Sequence, residues 1–161
     1  MLAELHRSSG AKFVTLVNRL GASRDSINTT LKSLVEAGWV ARNPGYGHPL
    51  RPEYLLTREG AKLGPWCVRA MKVIVALRLE DVVLRKWSIP VALAIHSGCH
   101  RFTQMREFLP RLTARALALT LKELQSAGLV EREVTDGYPP QTEYRFTAAG
   151  RRLSRGIAGI S

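Results

Sequence analysis

The side chains best suited to a defined chemistry sit in two stretches of matching spacing. From Thr113 the chain reads TARALALTLKELQSAG, with Leu117, Leu121 and Leu124 at four- and three-residue steps. That spacing lines one face of a helix, so Arg115, Ala116, Leu119 and Lys122 project from the other. From Ser23 the chain reads SRDSINTTLKSLVEAG. With Ile27, Leu31 and Leu34 inward, the outward set there is Asp25, Ser26, Thr29 and Lys32, with Arg24 and Asn28 at the edges. A guanidinium can grip guanine O6 and N7 with two hydrogen bonds, and a carboxamide does the same for adenine. Leu119 offers a contact to a thymine methyl or, alternatively, to another protein. Asp25 stands where phosphates and base acceptors repel it. Side chains of these types suit hydrogen bonds to base edges rather than bond making.

Other groupings are thinner. Arg42 and Arg132 occupy equivalent places on later strands, where a guanidinium holds a phosphate or pairs with Glu53 or Glu143. Arg51 lies with His48 in the loop NPGYGHPLRP, placed to enter a minor groove. His96, Cys99 and His100 bring metal-type side chains close together but lack a fourth ligand, and the earlier stretch has Arg7 and Gly10 in their places. Cys99, beside His100 and Arg101, has the neighbours that favour a thiolate. Two cysteines, Cys67 and Cys99, make neither a disulfide framework nor a four-ligand zinc site. No Ser/His/Asp grouping, phosphate-cradling glycine loop or carboxylate pair appears, so neither an enzyme nor a cofactor is expected.

The elements that position these residues come as a duplication. Thr30 to Leu63 aligns without a gap on Thr120 to Leu153, with 15 of 34 positions identical, where ordinary composition gives about two or three by chance. Shared positions include Gly38/Gly128, Arg42/Arg132, Tyr54/Tyr144, Thr57/Thr147 and Gly60/Gly150. An internal repeat decides the number of folding units. In the second copy Thr113 is placed as an N-cap and Gly128 as a C-terminal stop. Leu129 to Val134, the Asp136-Gly137 turn and Thr142 to Phe146 form a hairpin, and a further helix starts near Thr147. In the first copy a short helix spans 2–8, and a second opens at Lys12-Phe13. The third runs from Ser23 to Ala37, and Trp39 to Arg42 pairs with Glu53 to Leu56.

The expected fold is mainly α with small β-hairpins: two tandem winged helix-turn-helix domains, 1–64 and 85–161, joined by an apolar helix at 65–84. Gly64-Pro65 is expected to kink or interrupt the helix that Thr57 caps. The run from Trp66 to Leu84 is apolar nearly all round, implying burial on more than one side. It either packs the two repeats together or forms the seam of a homodimer. Ser88 starts the next helix, with Pro90 in its first turn and Val91 to Ile95 buried.

Charge points to a polyanion. The formal net charge is +11. Residues 1–64 carry nine Lys/Arg against five Asp/Glu, and residues 85–161 carry twelve against six. The excess belongs to the repeated unit. Such a surface attracts nucleic acid first and an anionic membrane second. The longest hydrophobic region is broken by Arg69, Lys72, Arg78, Glu80 and Asp81, so no membrane span is expected and a cytoplasmic, nucleoid-associated protein is.

Lys86-Trp87, Arg101-Phe102, LTLKELQSAGLVERE, Pro139-Pro140, Glu143-Tyr144 and Thr147 with Gly150 follow an order that resembles the HxlR-type winged helix regulators of bacteria and archaea. The resemblance covers residues 85–155 and, through the repeat, residues 11–63 more weakly. It implies a winged helix fold, dimeric binding to double-stranded DNA and regulation of transcription. The DNA-binding set is then Arg24, Ser26, Asn28, Thr29, Lys32, Arg42, Arg51, Thr113, Arg115, Ala116, Leu119, Lys122 and Arg132. Two features depart from the family pattern. Its members are usually single domains paired through terminal helices, and its thiol sensors carry a cysteine ahead of the first helix, where this chain has Ile74-Val75-Ala76. Two alternatives use tandem winged helices: an interaction scaffold of the kind that partners chromosome-condensing complexes, and a plasmid replication initiator. Positive charge in both repeats disfavours the scaffold, and the motif order favours the regulator over the initiator.

Overall fold

The third helix of each repeat is set by a hydroxyl at its start and a left-handed glycine just past its end. Ser23 Oγ accepts the Ser26 N–H at 3.2 Å to open α3 (Arg24–Glu36), and Thr113 Oγ1 accepts the Ala116 N–H at 3.2 Å to open α8 (Ala114–Ser126). Gly38 (φ 73°) and Gly128 (φ 68°) turn the chain out of these helices, a conformation that favours glycine. The computed structural model describes residues 1–43, 53–136, 138 and 140–158. They are mostly helical, with two small antiparallel hairpins.

The chain divides into two compact units, Met1–Met71 and Lys72–Ser161, the boundary falling within one helix. The first unit holds α1 (Leu2–Arg7), α2 (Phe13–Leu20), α3, β1 (Val40–Arg42), β2 (Tyr54–Leu56) and most of α4 (Arg58–Ala76). Val40 pairs with Leu56 and Arg42 with Tyr54. Ala11 adds a bridge to Tyr54, each N–H donating to the other's carbonyl at 2.9 Å. The core gathers Leu5, Leu16, Ile27, Leu31 and Val40, with Phe13, Val17, Leu34 and Leu56 packed against it.

The second unit holds α5 (Glu80–Val83), α6 (Ser88–His96), α7 (Phe102–Phe108), α8, β3 (Val130–Thr135), β4 (Gln141–Phe146) and α9 (Ala148–Ile157). Register runs from Val130 opposite Phe146 to Thr135 opposite Gln141. Val91, Ala94, Ile95, Met105, Leu117, Leu121, Leu124, Leu129 and Leu153 are buried, the apolar stripes of α6, α7, α8 and α9 closing on one another. The Tyr144 N–H donates to the His100 carbonyl at 2.8 Å, in the place the Ala11–Tyr54 bridge takes in the first unit.

One joint is built alike in both units. Thr57 Oγ1 donates to the Gly38 carbonyl at 2.7 Å and accepts from the Gly60 N–H at 3.1 Å. Thr147 Oγ1 donates to the Gly128 carbonyl at 2.6 Å and accepts from the Gly150 N–H at 3.1 Å. A Cβ on Gly60 would stand 1.9 Å from the Trp39 carbonyl oxygen, and one on Gly150 would stand 1.9 Å from that of Leu129. These glycines let the helix after each hairpin lie directly on the residue that leads into that hairpin.

The stretch from 65 to 84 differs from expectation. Gly64-Pro65 does not interrupt the helix: α4 runs unbroken from Arg58 to Ala76. A Cβ on Gly64 would meet His6 Nδ1 at 2.3 Å, so close packing of α1 holds α4 through the proline; tertiary contact outweighs the missing N–H. Residues 65–84 are also not one helix. After Ala76, Arg78 turns at φ 53° and α5 starts afresh at Glu80. Nor is this run buried all round within the chain: Ala70 and Ile74 are buried, whereas Val75 and Leu84 are 52% and 51% exposed. Ala70 and Ile74, four residues apart, share one face of α4, as on a one-sided helix. Among the described residues no helix is long and apolar enough to cross a membrane.

Candidate nucleic-acid interface

The second unit presents α8 as a helix gripped along one side only. Leu117, Leu121 and Leu124 are at most 1% exposed, while Leu119 is 57% exposed. Arg115 and Lys122 share that open face, and Ala118, which the sequence reading passed over, joins them. Ala116 was expected outward and is half-buried, because it sits at the flank of the helix, next to the buried Leu117. Thr113 serves as the cap: its oxygen accepts the Ala116 N–H at 3.2 Å, which leaves the hydroxyl proton and one lone pair for another partner. α7 leads into this helix through a turn anchored by buried Leu112.

In the first unit Ser26, Asn28, Thr29 and Lys32 are all exposed on α3, and Ile27 and Leu31 are buried. Arg24 lies back over the Phe13 ring, 5.6 Å from its centroid, an attraction between cation and ring that holds it against α2. Asp25 is exposed in the first turn, where a carboxylate suits the positive end of the helix dipole. That location explains Asp25 as a helix-start residue, and it leaves the outward face of α3 less cationic than that of α8.

The strand arginines part company. Arg42 Nη2 donates to Glu53 Oε1 at 3.0 Å, and its guanidinium stands 6.0 Å from the Tyr54 ring centroid. Glu53 also accepts the Phe13 N–H at 3.2 Å, so this pair ties β1 to the start of α2. Arg132 makes no such pair with Glu143; its Nη2 donates to Thr142 Oγ1 at 3.3 Å and the side chain is exposed. Glu143 instead accepts from Arg145 at 2.8 Å and lies 3.6 Å from Arg101. The hydrogen bond from Arg145, and then the charges of Arg145 and Arg101, hold the Glu143 carboxyl below the usual carboxylate range. Arg51 and His48 lie outside the described residues.

The His96, Cys99 and His100 grouping is taken up by packing. Ser154 Oγ and His96 Nδ1 share a hydrogen bond of 2.7 Å, and His100 Nδ1 lies 3.3 Å from the Tyr144 carbonyl oxygen. Among the described residues no group of three or more His, Cys, Asp or Glu is placed to hold a metal ion. Cys99 is half-buried.

A feature the sequence reading missed lies beside α8. An open groove of about 360 Å³ runs between Val82 and Arg85 on one side and Leu119 and Lys122 on the other. Arg85 pairs there with Glu123 of α8. The sequence reading used Lys86-Trp87 as a motif and gave the adjoining Arg85 no role.

The family profile described as HxlR-like helix-turn-helix matches residues 82–161. The uncharacterized HTH-type transcriptional regulator YdeP of Bacillus subtilis (strain 168) is 37% identical over 73 residues, which cover 45% of this chain and 57% of YdeP. The uncharacterized HTH-type transcriptional regulator YvaP of the same organism is 32% identical over 81 residues, covering 50% of this chain and 75% of YvaP. Among solved structures, the reduced form of the transcriptional regulator YodB from B. subtilis is 26% identical, with a TM-score of 0.47, covering 52% of this chain and 84% of that one. The chain thus spans little more than half the length of relatives such as YdeP, and the matched part lies in the second unit. The chain belongs to the HxlR-like helix-turn-helix family.

Proposed function

We propose that this chain binds double-stranded DNA and regulates transcription, using two tandem winged helix units, 1–64 and 85–161, with residues 65–84 between them. The observation that carries the reading is the outward face of α8. A helix capped at Thr113 and buried along three leucines offers Arg115, Ala118, Leu119 and Lys122 to the outside. A major groove admits such a helix, and its first turns meet the base edges. In this reading Arg115 takes a guanine, Leu119 a thymine methyl and Lys122 a phosphate, while Arg132 on the wing holds a second phosphate. The first unit contributes Ser26, Asn28, Thr29 and Lys32 as a weaker reader, with Arg24 and Arg42 engaged by Phe13 and Glu53.

Support for the tandem arrangement comes from the repeated sequence and from the Thr–Gly joint that has the same hydrogen bonds in both units. Pairing of two chains through 65–84 belongs to the same proposal, since Val75 and Leu84 are half exposed; sedimentation across a concentration series reads it directly. Duplex binding is tested by fluorescence anisotropy over a salt series. Each neutralised phosphate releases counterions, so log affinity falls linearly with log salt, by about 0.9 per phosphate contacted. Binding that is absent, or indifferent to salt, removes this function and favours the protein-interaction scaffold.

A further inference from the structure

We propose that Arg85 and Lys122 form a seat for one phosphate of the duplex backbone, with Glu123 holding the Arg85 guanidinium in place. The inference rests on α8 as the base-reading helix and adds a residue outside the helix-turn-helix that fixes its register. Arg85 follows α5, and its Nε donates to the Asp81 carbonyl at 2.8 Å. Its Nη1 pairs with Glu123 Oε1. A guanidinium has five N–H donors in a rigid fork, so three remain, and the Arg85 side chain is 58% exposed against 24% for Glu123. The fork is therefore braced from two sides with open donors.

Those donors belong to the groove that Lys122 also lines, with Val82 and Leu119 as its apolar walls. Two cations face one carboxylate there, and the carboxylate is already engaged. A phosphodiester fits this arrangement: its oxygens match the fork of an arginine and the point charge of a lysine, and its sugar carbons suit Val82 and Leu119. Arg85 acts as a positioning residue, setting how α8 lies in the groove without touching a base.

The test measures anisotropy of the full chain on a selected duplex and on a random duplex, each over a salt series, with melting followed in parallel. Arg85→Ala is expected to weaken both duplexes alike, by about tenfold, as for loss of one charge-assisted contact. Its salt slope should be shallower by about one. Arg85→Lys keeps the charge and should keep the parent's slope while losing a few-fold in affinity, so the idea stays testable if the alanine variant folds poorly. Glu123→Gln keeps an acceptor for the fork and removes a repulsion, so its affinity should equal or exceed the parent's. The seat is overturned if Arg85→Ala keeps the parent's affinity and slope, or if Glu123→Gln loses as much binding as Arg85→Ala. If Arg115→Ala loses discrimination while Arg85→Ala matches the parent, the reading of α8 stands and the seat alone fails. If the parent shows no salt-dependent duplex binding, both fall together.

Discussion

Replacing Gly150 by alanine should loosen the joint between wing and last helix, and the size of the effect can be worked from the contacts. The new Cβ would stand 1.9 Å from the Leu129 carbonyl oxygen and 2.8 Å from Phe146 Cδ1, closer than non-bonded carbon and oxygen ever sit. The backbone of α9 must then lift away from Leu129, the residue that leads into β3. That movement threatens the Thr147 N–H to Leu129 bond at 3.1 Å and the Thr147 cap on Gly150 at 3.1 Å. Loss of a cap costs about 1 kcal/mol, a net hydrogen bond about 1 and overpacking about 1–3. The better helix propensity of alanine returns about 1 kcal/mol. The net expectation is about 2–4 kcal/mol, read as a lower urea midpoint by far-UV circular dichroism at unchanged slope. Gly128→Ala is the control: nothing lies within 4 Å of its Cβ position, and only φ 68° opposes it, a cost of about 1–2 kcal/mol. If Gly150→Ala unfolds within about 0.5 kcal/mol of the parent, the ordinary range for harmless surface changes, the close approach is not a constraint and the shared joint has been misread. Gly60→Ala, facing the Trp39 carbonyl in the same way, should behave alike.

Ile74, 1% exposed on α4, should tolerate no charge: Ile74→Asp is expected to destabilise by roughly 3 kcal/mol or more, measured by the same urea titration. The Glu143 carboxyl titrates below its unfolded counterpart, foremost through the Arg145 hydrogen bond. Its stabilisation is therefore present above the unfolded value of about 4.3 and is lost as pH falls below it. Glu143→Gln should flatten that acid limb, and an unchanged profile in melts between neutral pH and pH 3 would disprove the assignment. Arg132→Ala should weaken all duplexes alike and make the salt slope shallower by about one, and a change confined to one sequence would instead make Arg132 a base reader.

Much of the architecture was legible because it rests on local rules. Thr113 and Thr57 declared caps, Gly128 declared a stop, and the leucine spacing of α8 gave the buried face that the structure shows. Leu119 was legible as exposed for the same reason. What failed was set by contacts distant in sequence. Pro65 signals a break locally, yet His6 packed on Gly64 keeps α4 whole. The apolar run after Trp66 suggested an all-round buried helix, but composition says nothing of a turn at Arg78. The partners of the strand arginines also depended on register: Arg42 found Glu53, while Arg145 and Arg101 took Glu143 before Arg132 could. The Arg85–Glu123 pair spans 38 residues, and no spacing rule reaches that far.

On the proposed function, α8 reads sequence through Arg115 and α3, with Asp25 in the equivalent place, reads less. The direct measurement selects duplexes from random DNA at physiological salt, then compares the parent with Arg115→Ala and Asp25→Ala on the selected duplex and on random DNA. Arg115→Ala should lose about 1–3 kcal/mol on the selected duplex and relax preference at one base position. Asp25→Ala should bind as well as the parent or better, because a repulsion is lifted. If Arg115→Ala keeps the parent's discrimination while Asp25→Ala loses it, the reading lies in the first unit and the account of α8 is wrong.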